Sequence, residues 1–245
     1  MVGTSFILEI SVDTLERALA AERGGANRIE LCSELSQGGL MPDADLVRSV
    51  REMVRLPIFV MIRPRGGDFV YSDREYAEME LEIEAARRLG VDGFVLGILR
   101  RDGEVDIQRT RQLVELAGRS PVTFHRATDV TGDIHKALED VVQTGAERLL
   151  SSGGAATAIE GIDCLKKLVT GAASRVLVMP GGGITASNVM VVAEATGARE
   201  FHAGLSSIAA RVDADEGRFE EEVRKIRRAL ERFQIARGLS EVKRI

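Results

Sequence analysis

The segment TGAREFHA (196–203) reads as the end of one helix and the start of one strand. The same reading recurs at GGANRIEL (24–31), LGVDGFVL (89–96) and TGAERLLS (144–151). In each, a glycine (Gly25, Gly90, Gly145 or Gly197) stands where a helix C-terminus calls for a left-handed residue, and a short apolar run follows. Four more apolar runs bounded by turn residues alternate with these. The predicted strands are therefore FILEIS (6–11), RIELC (28–32), PIFVMIR (57–63), GFVLGIL (93–99), VTFHRA (122–127), RLLSS (148–152), RVLVMP (175–180) and EFHAG (200–204). Each precedes a helical segment. Connections this short demand parallel strands, and eight such units account for the 245 residues. The expectation is an α/β fold, a single eight-stranded parallel barrel of the TIM type over residues 1–245, with an open doubly wound sheet as the rival that shares the repeat.

Helix signals support this reading. Asp13 stands three residues before Glu16 and Ser72 three before Glu75, so both are predicted N-caps. The last helix carries Phe219, Val223, Ile226, Leu230 and Phe233 at alternating steps of four and three, one apolar stripe.

Composition narrows the partners. With 33 Lys and Arg against 38 Asp and Glu the net charge is −5, and no long basic run occurs, which argues against a nucleic-acid partner. Apolar residues are interleaved with charges and no run approaches the roughly 20 residues that span a bilayer, so no membrane role is expected. The N-terminus lacks a basic region followed by a small-residue cleavage site. Cys32 and Cys164 cannot build a disulfide framework, so a reducing, cytoplasmic location is expected. A homo-oligomer is compatible with all of this.

In a closed barrel one face of each strand packs on helices while the other fills the interior or reaches the mouth. Alternation sends Ile7, Glu9 and Ser11 inward, and likewise Glu30 and Cys32, Phe59, Met61 and Arg63, Thr123 and His125, and His202; Arg126 falls at the rim. Two of the three histidines thus sit at strand C-termini, where barrel enzymes keep their chemistry, while His135 reads as a surface residue. Buried charges must pair or hold a ligand. For Glu9 and Glu30 a structural ion pair with a barrel arginine stands beside a catalytic role, and for His125 a core imidazole bonded to a carbonyl stands beside a functional one. Arg63, His125, Arg126 and His202 lie nearer the mouth.

The glycine-rich loops point to the same end. MPGGGIT (179–185) follows strand seven and leads to a helix with Thr185 or Ser187 as cap, and HAGLSS (202–207) follows strand eight. Amides of Gly181, Gly182, Gly183 and of the Gly204–Ser206 stretch could form an anion pocket where barrels grip phosphate, the alternative being a plain tight turn. Ser152, in SSGGAAT (151–157), offers its hydroxyl to the same rim. The loop RPRGGDFVYSD (63–73) brings Arg65 over the mouth as a basic, glycine-hinged lid. All five lysines fall in helical stretches or the tail, so a Schiff-base aldolase is not expected. Neither G-x-S-x-G nor a zinc-type cysteine pair is present.

Through ELC (30–32), QGGLMP (37–42), MIRPRGGDFVYSD (61–73), VTFHRATD (122–129), RLLSSGG, MPGGGI and EFHAG the sequence resembles the CutC family. The resemblance implies a cytosolic TIM barrel associated with copper tolerance, with Cu(I) bound through cysteine. It also implies cysteines just after strand one and within the GGDF-x-YS loop, where this chain has Ser11–Val12 and Val70, leaving Cys32 as the candidate metal ligand, with Met41 or Met61 as helper.

Two functions are therefore expected to compete. One is Cu(I) handling. The other is a small-molecule barrel, with or without turnover, that grips an anionic ligand through Arg63, Arg65, Arg126, Ser152, Gly181–Gly183, His202 and Gly204. In that barrel Glu30, His125 or Asp129 would move protons beside Arg63.

Overall fold

The computed structural model describes residues 6–204 and 215–242. Eight strands, β1 (Ile7–Val12), β2 (Arg28–Leu31), β3 (Ile58–Met61), β4 (Gly93–Leu96), β5 (Val122–Phe124), β6 (Arg148–Ser151), β7 (Leu177–Pro180) and β8 (Glu200–Ala203), alternate with eight helices. The helices are α1 (Leu15–Gly24), α2 (Ala44–Met53), α3 (Asp73–Arg88), α4 (Ile107–Ala117), α5 (Ile134–Thr144), α6 (Ile162–Ala172), α7 (Val189–Thr196) and α8 (Glu216–Val242). Every ladder is parallel, in the order β7-β6-β5-β4-β3-β2-β1-β8. Since β7 and β8 also lie side by side, the sheet curls into the expected barrel, and the open doubly wound sheet is excluded. The last seam differs from the other seven: no ladder joins β7 to β8 among the described residues.

Local chemistry sets the element ends. Gly25, Gly90, Gly145 and Gly197 all have positive φ, between 74° and 91°, as the recurring helix-to-strand segments require. Ser72 forms a full capping box with Glu75. Asp13 does not cap α1: the N-cap is Thr14, whose hydroxyl accepts from the Arg17 amide, while Asp13 pairs with the Arg17 guanidinium at 2.7 Å. Thr185 and Ser187 bond each other's hydroxyls, and Asn188 is the residue that precedes α7.

The outward strand faces form the main core. Leu8, Ile10, Ile29, Leu31, Ile58, Phe94, Leu96 and Phe201 are fully enclosed against the helices. The α8 stripe from Phe219 to Phe233 is buried as its spacing predicts. Inside the barrel Cys32, Phe59, Met61 and Val95 make a second, smaller apolar cluster. No described helix is long and apolar enough to cross a membrane.

Candidate functional site at the barrel mouth

Parallel register assembles the charged interior. Glu9 on β1 lies level with Arg28 on β2 and with His202 on β8, and Ser11 lies level with Glu30. Residues on one rung of neighbouring strands point to the same side, so the register itself makes these groups neighbours. Arg28 Nε donates to Glu9 Oε2 at 2.5 Å, and its Nη2 donates to Glu200 Oε2 at 2.8 Å. Arg148 donates to that same Glu200 oxygen. The Arg28 and Arg148 guanidinium groups stand 4.7 and 5.5 Å from the Phe59 ring centroid. Gly93 leaves the ring its space, since an added Cβ would come within 2.6 Å of it. This set plugs the barrel below the mouth. Arg28 shares the inward face with Glu30 by simple alternation, and that alternation is the signal by which a sequence reading could include it.

Above the plug, His202 Nδ1 donates to Glu9 Oε1 at 2.7 Å, leaving Nε2 turned toward Glu30 Oε2 at 3.9 Å. Burial alone would raise the Glu9 carboxyl, but the Arg28 charge and the His202 hydrogen bond outweigh it and hold it down at about 2. Burial opposes charge on His202, yet Glu30 and Glu9 prevail and raise its imidazole. Glu30 is pushed up by burial, with the Glu9 charge adding and the His202 charge opposing. Its Oε1 is buried without a hydrogen-bond partner among the described residues.

His125 follows β5. Its Nδ1 accepts from the Ala127 amide at 3.3 Å, which places the proton on Nε2, and Nε2 is buried without a partner among the described residues. Burial, reinforced by the Arg63 charge, lowers this imidazole to about 3, so it is a neutral donor. Gly97 makes the position possible, because a Cβ there would stand 2.6 Å from the ring, and Phe69 packs against it with ring centroids 4.8 Å apart. Neither Gly97 nor Phe69 carries a polar signal in the sequence.

A cavity of about 170 Å³ opens over these groups, and Glu30, Arg63, His125, Arg126, Gly182, Gly183, His202 and Gly204 all line it. Arg63 is also a staple: its Nη atoms donate to the carbonyls of Gln37, Gly39 and Gly67, tying the loop after β2 to the loop after β3. At the opposite wall Gly181 donates to the Ser151 carbonyl. Gly182 and Gly183 have φ of 94° and 71°, and their amides have no hydrogen-bond partner among the described residues. Arg126 Nη1 faces Gly182, 3.2 Å from where a Cβ would be. Leu205 and Ser206 of the strand-eight loop lie outside the described residues.

Other residues named from the sequence are placed elsewhere. Arg65 does not line the cavity: it is spent on Glu75, Asp68 and the carbonyls of Gly66, Asp68 and Val70, so it holds its own loop. Asp129 accepts from Ser151 Oγ, the amide and hydroxyl of Ser152, the Gly154 amide and Arg126 Nε. A carboxylate so fully engaged braces the loop after β6 and positions Arg126. Ser152 belongs to that brace, its hydroxyl meeting Asp129, Arg126 and the Ala155 carbonyl.

Soft-metal chemistry finds little here. Cys32 is fully buried, with Sγ 3.4 Å from Ser11 Oγ and 3.5 Å from the Val12 carbonyl. Burial first, and then the Glu30 charge, pushes its thiol above the ordinary range, so it stays protonated. Met61 packs in the same cluster and supplies a thioether, whereas Met41 packs against the main core. A single protonated thiol with one thioether does not fit a tight Cu(I) site. Glu9, Glu30 and His202 offer ligand atoms within 4.8 Å of one another. Both Glu9 oxygens are already taken by Arg28 and His202, and the Arg28 charge would repel a cation.

Comparison with known proteins places this geometry in a family. A family model described as "CutC family" matches residues 6–207. A mouse protein named copper homeostasis protein cutC homolog is 48% identical over 205 residues, covering 84% of this chain and 75% of that protein. The human protein of the same name matches to the same extent. A solved CutC structure from Streptococcus agalactiae superposes with a TM-score of 0.77 at 33% identity, covering 81% of this chain and 98% of that one. With a family model spanning most of the chain and relatives near half identity across it, this chain belongs to the CutC family.

Proposed function

We propose that this chain works at the barrel mouth, where it binds a small anionic metabolite, and that this role outranks direct Cu(I) binding. The observation that carries the reading is that Glu30 and His125, which line one cavity, each keep a buried polar atom (Oε1 and Nε2) without a partner among the described residues, beside the unpartnered amides of the half-buried Gly182 and Gly183. Leaving such a buried atom of Glu30 or His125 unpaired costs about 1–3 kcal/mol, which a ligand hydrogen bond would recover. The Gly182–Gly183 amides and Arg126 supply donors for an oxyanion. Neutral His125 supplies one more N–H, and Glu30 with His202 supplies a buried proton-exchanging pair.

The names of the relatives connect the family with copper homeostasis. For this chain we assign any Cu(I) it takes as cargo to Cys32 beside Met61, at low affinity, since the metal must displace a proton from a buried thiol. Both cysteines are thiols, in keeping with the cytoplasmic location we propose.

Thermal unfolding with inorganic phosphate tests the main reading. At about 100 times Kd a specific ligand adds about 2.7 kcal/mol, so the wild type should shift upward and Gly182→Ala, strained at φ 94°, should respond less. A flat response to phosphate, together with tight Cu(I) retention against a chelator, would reverse the order of the two roles. Any Cu(I) bound should disappear in Cys32→Ala and persist in Cys164→Ala.

A further inference from the structure

The interior holds a gap of a particular chemical kind. His202 Nε2 and Glu30 Oε2 face each other at 3.9 Å, beyond hydrogen-bond range, and Glu30 Oε1 has no partner among the described residues although Glu30 is only 4% exposed. His202 cannot swing to close the gap, because its Nδ1 is tied to Glu9, which is itself tied to Arg28. A group between them must satisfy one proton shared by two sites. With imidazolium and carboxylate, it must accept from Nε2–H and donate to Glu30. With neutral imidazole and carboxylic acid, it must accept from Glu30 and donate to Nε2. A hydroxyl does both. A carbonyl or ether oxygen only accepts, and an ammonium only donates.

The gap adjoins the anion loop. A Cβ at Gly181 would stand 3.2 Å from His202 Cβ and 3.4 Å from Cδ2, and one at Gly204 would stand 3.8 Å from Nε2. The unpartnered amides of Gly182 and Gly183 begin one residue beyond Gly181, and successive Cα atoms are only ~3.8 Å apart. A ligand that used both features would carry its hydroxyl a short chain away from its anionic group.

We propose that the mouth selects short hydroxylated anions, phosphate esters or carboxylates of small polyols, by seating one ligand hydroxyl between Glu30 and His202. This rests on the anion-binding reading of the same cavity and adds the chemical class. The seated hydroxyl also links the two acid–base groups, so a proton can pass from one to the other through it with no net change in charge.

Isothermal titration with matched probes tests the proposal. sn-Glycerol 3-phosphate is compared with propyl phosphate, and D-glycerate with propionate, each pair differing by hydroxyls, with inorganic phosphate as the bare anion. In the wild type, at least one hydroxylated probe should bind at least about tenfold more tightly than its partner, the weight of a hydrogen bond to a charged group. That ratio should fall toward one in Glu30→Leu and in His202→Phe, each checked for folding by circular dichroism. The wild-type comparison stands even where a variant does not fold. If phosphate binds but the members of each pair bind equally, the hydroxyl seat is overturned while the anion site survives. A ratio that persists in folded Glu30→Leu and His202→Phe overturns it too, because the hydroxyl is then read elsewhere. If no probe binds, both readings fall together.

Discussion

His125 shows how one residue's surroundings decide its chemistry. Its ordinary imidazole would be half charged near pH 6.5; buried beside Arg63, it stays neutral down to about 3. Between those values the unfolded chain binds a proton that the folded chain does not, so this group makes stability rise with pH across that window. Glu30, raised in the fold, acts with the opposite sign above the ordinary carboxylate range, so the two partly cancel in the wild type. The difference between wild type and His125→Phe isolates the histidine. From pH 4 to 6, urea unfolding should show the wild type gaining on the variant by up to about 1.4 kcal/mol per pH unit. Parallel curves would mean that His125 is charged in the fold, and its role as a neutral donor would go.

At the scale of elements, glycine placement separates packing from helix propensity. Gly24 ends α1 where α8 crosses it, and an added Cβ would meet Val223 Cβ at 2.7 Å and the Glu220 carbonyl oxygen at 2.9 Å. Gly171, in the last turn of α6, would meet only Leu138 Cδ2 at 3.4 Å, an ordinary contact. Alanine at the two sites should therefore act in opposite directions. Gly24→Ala should cost about 1–3 kcal/mol by pushing the two helices apart, and Gly171→Ala should gain up to about 1 kcal/mol from helix propensity. Denaturant midpoints read both, and a loss at Gly171 as large as at Gly24 would refute the distinction. The periodicity of α8 and the glycine-led strand starts were legible in the sequence because they depend on neighbours within a few residues. So was the inward set Glu30, Arg63, His125 and His202, which alternation fixes. What Arg65 and Asp129 hold was not legible. A loop arginine and a carboxylate near a strand end look alike whether they face a cavity or close on their own loops, and only the loop path decides between Glu75 and the mouth, or between Ser152 and a ligand.

For the whole molecule, the decisive feature is the seam between β7 and β8. The Leu177 amide donates to the Glu147 carbonyl just before β6 and the Gly181 amide to the Ser151 carbonyl on β6, so by alternation positions 178 and 180 turn toward β8. Position 180 is a proline, the one proline within a described strand, and has no N–H to give. Among the described residues β7 and β8 thus lie side by side at this seam without a ladder. The cavity opens over the same seam, with Gly182 and Gly183 following β7 and His202 and Gly204 at the end of β8. An anion held by the glycine loop and reaching His202 would bridge the two strands. It would supply there the cross-link the backbone lacks, and local opening of the barrel would become coupled to ligand occupancy. Hydrogen exchange followed by mass spectrometry reads this directly. Without ligand, peptides covering β7 and β8 should exchange faster than those covering β1 and β2. Saturating sn-glycerol 3-phosphate should slow residues 181–184 and 200–204 together and leave β3 to β5 unchanged. Protection confined to the glycine loop would place the anion on one side of the seam, and uniform slowing across all strands would show a general gain in stability with no special part for the seam.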